Sequence, residues 1–117
     1  MQSIRKRLTG GALDGALAEL YGVEAVNAQR ARYLMLEREF AAQFGENENE
    51  ALFSAPGRSD IGGNHTDHQL GRVLAAAVTV DVCAVAAPRN DNLVCIHSLG
   101  YPPLTVRLDQ LAPNAGE

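Results

Sequence analysis

Basic charge is scarce in this 117-residue sequence: ten Lys and Arg stand against 14 Asp and Glu, a formal net charge of −4. That balance offers no general attraction to phosphate backbones or acidic membrane surfaces. No stripe of Lys and Arg interleaved with aromatics runs along the chain, and the one basic run, Arg5-Lys6-Arg7, reads as a solvated end. Nucleic acid and membrane are therefore not expected as partners. Long apolar runs are lacking too. The stretch from Val73 to Ala87 is interrupted by Thr79 and Asp81 and is too short to span a bilayer. No secretory core follows the basic run, where Thr9-Gly10-Gly11-Ala12 stands instead. Only two cysteines occur, Cys83 and Cys95, without a CxxC pair. In apolar segments such thiols act as small hydrophobes, and nothing asks for an oxidising compartment, so the cytoplasm is the expected one. The phosphate-loop patterns GxxxxGKS/T and GxGxxG are both absent.

What is present is 46% apolar and 21% charged, the composition of a folded domain with a modest core, either one small domain or part of a larger one. Leu13, Leu17 and Leu20 recur at i, i+4 and i+7, which predicts a helix that breaks at Gly22. A second amphipathic helix follows, with Val26, Tyr33, Leu36, Phe40 and Phe44 on its apolar side, charges including Glu37 on the rest, and Gly45 as its left-handed terminator. Its aromatic residues read as core packing. The polar run from Glu46 to Glu50 reads as a surface linker.

After residue 50 the pattern changes. Ala51 to Ala55 is a short strand candidate that stops at Pro56-Gly57, and residues 57–72 read as a loop-rich segment. Val73 to Ala87 reads as a buried strand, the turn from Pro88 to Asn92 leads to a strand from Leu93 to His97, and those two strands are expected to pair as a hairpin. Leu104, Val106 and Leu108 alternate with Thr105, Arg107 and Asp109, the period of a half-buried strand. The expected class is α+β: N-terminal helices over residues 1–50, then a mostly antiparallel sheet over residues 51–117.

Chemistry-bearing residue types concentrate between Ala55 and Leu74: Arg58, Asp60, Asn64, His65, Thr66, Asp67 and His68, among glycines 57, 62, 63 and 71. Glycine lets backbone approach a ligand closely or take positive φ. Asp and Asn side chains can meet several hydroxyls at once, which is what a sugar requires. Arg58 adds a fixed cation that could face a phosphate or a developing oxyanion. A metal site from His65, Asp67 and His68 is a rival reading, although no further Cys or His cluster completes a shell. A polar loop that merely joins two strands is another. Composition leaves these alternatives open.

The order of the residues points further. Galactokinases of the GHMP kinase superfamily carry a first motif close to G-R-x-N-x-I-G-E-H-T-D-Y, followed by G-x-V-L. This sequence resembles them through Ala55-Pro56-Gly57-Arg58, Gly63, His65-Thr66-Asp67, Gly71 and Val73-Leu74, strongly over residues 51–81. It departs at Asn64, where the family usually has Glu, and also at Asp60, Gly62 and His68. Asn keeps an acceptor oxygen but loses the charge. The resemblance implies the sugar-binding part of a GHMP-kinase N-terminal domain over residues 51–117. It further implies transfer of the ATP γ-phosphate, with Mg2+, to the anomeric hydroxyl of galactose or a related sugar.

By the same resemblance, Arg58 would stabilise charge near the transferred phosphoryl group. Asn64, His65 and Asp67 would bind sugar hydroxyls, and Gly57 and Gly63 would let backbone approach; no residue is assigned to a metal. The family's second motif, a nucleotide loop like G-L-S-S-S-A, is absent. The chain therefore reads as an amino-terminal piece, inactive as a kinase by itself and prone to self-association. The alternative is a non-catalytic sugar-binding or regulatory module of galactokinase type.

Overall fold

The structure is a computed structural model that describes residues 3–63 and 67–112. Three helices come first: α1 (Ile4–Thr9), α2 (Asp14–Tyr21) and α3 (Val26–Phe44), with a single 3-10 turn, Val23–Ala25, before α3. Four strands follow: β1 (Ala51–Gly62), β2 (Leu74–Ala86), β3 (Leu93–Ile96) and β4 (Leu104–Arg107). The result is the expected α+β class, helices first and antiparallel sheet after. The chain forms two compact units, residues 1–86 and 87–117.

In the first unit α3 is long because nothing between Val26 and Phe44 interrupts it: there is no Gly or Pro, and Ala, Leu, Met, Gln, Glu and Arg dominate. It ends at Gly45, whose φ of +82° suits glycine and whose N–H bonds the Ala41 carbonyl at 2.9 Å. Gly22, with φ +89°, ends α2 in the same way. The core gathers Leu8, Leu17 and Tyr33, one from each helix, with Leu52 of β1 and Cys83 of β2 packed against them. Thus the helices lie on one face of the β1–β2 pair.

The apolar faces differ in detail from the sequence expectation. Leu20 is exposed, because Tyr21, four residues after Leu17, takes the inward place. Phe44 is exposed as well and stacks against Phe40 at 5.2 Å between ring centres, one turn along the same helix. Glu37, expected on the charged side, is 4% exposed. It lies four residues after Tyr33, on the same stripe, and is reached by Nε of Arg5 at 2.8 Å. The basic run is therefore not merely a solvated end: it lies in α1, and Arg5 pins that helix to α3. Arg30 forms a second inter-helix pair, with Asp14, its Nε 3.0 Å from Oδ1.

The strands also correct the sequence reading. β1 does not stop at Pro56-Gly57 but continues to Gly62, so residues 57–62, expected in a loop, are strand. Proline removes one ladder donor, and the ladder accommodates it with a register shift between Pro56 and Arg58. β2 pairs with β1, antiparallel from Ala51↔Ala86 to Gly62↔Leu74, not with the strand that follows it. β1, of 12 residues, offers β2 a far longer ladder than β3, of four. β3 pairs instead with β4, from Leu93↔Arg107 to Ile96↔Leu104, and the Leu108 N–H extends that hairpin to the Asn92 carbonyl at 2.8 Å.

Nor is β2 a buried strand. Only its second half alternates, with Asp81, Cys83 and Val85 turned toward the helices, while Val80 and Val82 are 76% and 75% exposed. All four residues of β4, expected to be half-buried, are exposed.

Candidate functional site

β1 carries the first candidate residues. Gly57 sits in the register shift, where an added Cβ would lie 3.1 Å from a methyl of Val78 and 3.2 Å from the Val80 carbonyl oxygen, closer than most side chains tolerate. Arg58 follows, pairs with Ala77 across the ladder and is largely exposed, its side chain at 63%. Two residues on, and so on the same face of the strand, Asp60 approaches it: Arg58 Nε lies 3.4 Å from Asp60 Oδ1. The structure thus brings Arg58 and Asp60 together in solvent, where such a pair contributes little to stability.

β1 gives way to the connecting segment at Gly63, and here glycine is required twice over. Its φ is +92°, and a Cβ would fall 2.3 Å from the Arg72 carbonyl oxygen and 2.7 Å from the Val73 Cα. The departing end of the connection at Gly63 and its returning end at Arg72-Val73 therefore lie in close contact. Asn64 and His65 lie outside the described residues, and so does the rival metal reading that needs His65. Asp67 opens a short 3-10 turn, Asp67–Gln69, and Leu70 continues the reversal with φ +61°. Among the described residues no group of three or more His, Cys, Asp or Glu is placed to hold a metal ion.

The sequence reading did not include a buried polar cluster formed where α2 and α3 meet the β1–β2 pair. The Asp81 side chain, 4% exposed, meets three donor groups from three places in the chain. Ser54 Oγ of β1 donates to Oδ2 at 2.5 Å, the hydroxyl of Tyr21 donates to the same oxygen at 2.5 Å, and Arg32 Nη1 reaches Oδ1 at 2.6 Å. Arg32 Nη2 also donates to the Asp81 carbonyl at 3.1 Å. Tyr21 has one proton and directs it to the carboxylate, so it accepts from the Tyr33 hydroxyl, 2.8 Å away.

Burial alone would raise the Asp81 carboxyl, but the hydrogen bonds from Ser54, Tyr21 and Arg32 outweigh it and hold it down to about 2. Burial pushes the Tyr33 phenol well above its ordinary value, and its bond to Tyr21 adds to the rise. The signal for this cluster is present in the sequence: Asp81 is the one charged residue inside an apolar run, and a carboxylate there needs partners.

Comparison with known proteins agrees with this layout. The family model for the galactokinase galactose-binding signature matches residues 38–88, from the last turns of α3 through β1 and the segment that follows it to the end of β2. A galactokinase of Bacillus subtilis is 46% identical over 59 residues, covering 50% of this chain and 15% of its own length. A galactokinase of Lactococcus lactis is 35% identical over 85 residues, 70% of this chain and 21% of its own. One of Candida parapsilosis is 32% identical over 85 residues, 70% of this chain and 17% of its own. The chain thus spans about a fifth or less of the length of these relatives. No solved structure matches it.

Proposed function

We propose, from the premise that this chain belongs to the galactokinase family over its matched stretch, that residues 51–81 form the sugar-binding part of a kinase that phosphorylates galactose or a close relative at the anomeric hydroxyl. The observation that carries this reading is the coincidence of the matched galactose-binding signature with one folded device: a strand that carries Gly57-Arg58 toward Gly63, which lies in close contact with Arg72-Val73. In that device Asn64, His65 and Asp67 bind sugar hydroxyls. Arg58 offsets charge that develops as the phosphoryl group moves, and the bare backbone at Gly57 and Gly63 admits close packing.

ATP with magnesium is the proposed phosphoryl donor of the complete enzyme. The residues of this chain do not fit that group: the sequence holds no phosphate-loop pattern, and the described residues offer no carboxylate cluster for the metal. Nucleotide and metal are therefore assigned to no residue here. Among the described residues no helix is long and apolar enough to cross a membrane, and free thiols at Cys83 and Cys95 suit a cytoplasmic enzyme.

The absence of a phosphate-loop pattern favours a second reading, a sugar-binding module without catalysis. Isothermal titration of the chain separately with galactose and with MgATP tests both. Saturable heat with galactose supports sugar recognition by this segment, and binding of MgATP as well would overturn the assignment of nucleotide binding elsewhere. A folded chain that takes up no galactose and does not distinguish it from glucose would contradict the proposal.

A further inference from the structure

The Asp81 cluster lies outside the residues that the matched motif brings to the sugar, yet the ladder connects it to them. Asp81 stands directly opposite Pro56, the residue before Gly57-Arg58, and the register shifts between Pro56 and Arg58. Proline supplies no N–H to hold that position. On one side of the shift the ladder runs in order from Ala51↔Ala86 to Pro56↔Asp81; on the other it resumes two residues out of step at Arg58↔Ala77. Proline explains why the ladder breaks at this place but not by how much the register shifts, so contacts beside the break must set the pairing that resumes beyond it.

The side chains supply those contacts. Ser54, two residues before Pro56, shares the carboxylate of Asp81 with Tyr21 at the end of α2 and Arg32 in α3. Both strands are thereby tied to both helices at the last regular pair before the shift.

We infer that Asp81, with Arg32, Tyr21 and Ser54, is a positioning group that fixes the Pro56–Arg58 register shift and so sets where Arg58 and the segment that follows Gly63 face the sugar. The inference rests on the sugar-binding reading above for its functional consequence, though not for its structural one. Asp81 touches no ligand in this scheme; it acts through the backbone of residues 56–58. Cross-strand register decides which face each side chain takes, so a slip by one residue would turn Arg58 to the opposite face. The helices thereby become part of the site without contributing a group to it.

The test uses the full chain. Asp81→Asn keeps the size of the side chain and removes its charge. Amide hydrogen exchange followed by NMR reads the ladder on each side of the shift, and titration calorimetry reads the Kd for galactose. The expected result is exchange at least ~10-fold faster at Arg58, Ser59, Ala76 and Ala77, little change at Leu52 and Val85, and galactose affinity lower by ~10-fold or more. Ser54→Thr, which retains the hydroxyl donor, should behave as the parent, whereas Ser54→Ala should shift both readouts in the same direction as Asp81→Asn.

Glu37→Gln serves as the control for stability alone: it alters another buried carboxylate, far from the shift in sequence, and should lower Tm without selective loss of protection at residues 58–59 and 76–77. If Asp81→Asn does not fold, Tyr21→Phe and Ser54→Ala each remove one donor and carry the same two readouts. Unchanged protection beyond Pro56 together with unchanged galactose affinity would overturn the inference, and so would an equal, selective effect from Glu37→Gln. A parent chain that binds no galactose would instead remove the sugar-binding reading, while the exchange pattern would still decide whether Asp81 fixes the register.

Discussion

Acid should expose the role of the Asp81 carboxylate directly. Its folded value lies near 2 against an ordinary 3.8, held there by Ser54, Tyr21 and Arg32 against the opposing effect of burial. That difference corresponds to about 2 kcal/mol of folding stability. Because the folded value is depressed, this contribution is fully present above the unfolded value and is lost as pH falls through the folded one. By linkage roughly half should be gone at pH 3 and most of it at pH 2. Asp81→Asn does not titrate in this window.

The variant should therefore be less stable than the parent at pH 7 by at least ~2 kcal/mol, or roughly 8–16 °C in Tm for a unit of this size. The gap between them should close as pH is lowered from 5 to 2. Urea unfolding followed by far-UV circular dichroism at pH 7, 5, 3 and 2 measures it. The Arg32 guanidinium, one of the partners, stays charged throughout and does not confuse the trend. Parallel stability profiles for parent and variant, with a gap that stays constant from pH 7 to pH 2, would refute the assignment of a strongly stabilised carboxylate to this position.

Other consequences are equally accessible. Gly63→Ala must place a Cβ 2.3 Å from the Arg72 carbonyl oxygen in a backbone with φ +92°; we expect a loss of roughly 1–3 kcal/mol in thermal or urea unfolding, or a displaced loop visible as shifted amide resonances at residues 72–73. Asp67→Ala should weaken galactose binding by roughly 1.5–3 kcal/mol, about 10- to 150-fold in Kd by calorimetry, through loss of a charged acceptor. The chain alone should self-associate through the exposed side of β2, where Val80 and Val82 are 76% and 75% accessible. Light scattering over a concentration series should show that mass growth and should show it reduced when Val80→Lys and Val82→Lys are combined.

The sequence made the helices legible where glycine ends them, at Gly22 and Gly45, because positive φ at a helix end is a local requirement that one residue type meets. At Gly57 and Gly63 an added Cβ would meet backbone or a packed methyl, a packing requirement that the order of the residues does not spell out. Pairing was less legible. Leu93–Ile96 looks like a natural hairpin partner for the strand before it, but strand choice depends on ladder length and on side chains distant in the chain, and β1 continues through Pro56 by shifting register.

Burial was the least legible property. Glu37 and Asp81 read as surface or interrupting charges and are among the most enclosed side chains, since each finds an arginine on another element, Arg5 and Arg32. A pairing 32 or 49 residues away along the chain leaves no trace in local periodicity.

Replacement of the matched amino-terminal segment of the Lactococcus lactis galactokinase by this chain, followed by measurement of galactose-dependent ADP release in the presence of MgATP, tests the central claim most directly. The chimaera, once shown to be folded, should turn over galactose and lose that turnover on Asp67→Ala and on Arg58→Ala. A folded chimaera without galactose-dependent turnover, or one in which both substitutions leave turnover unchanged, would contradict the assignment of sugar recognition to residues 51–81.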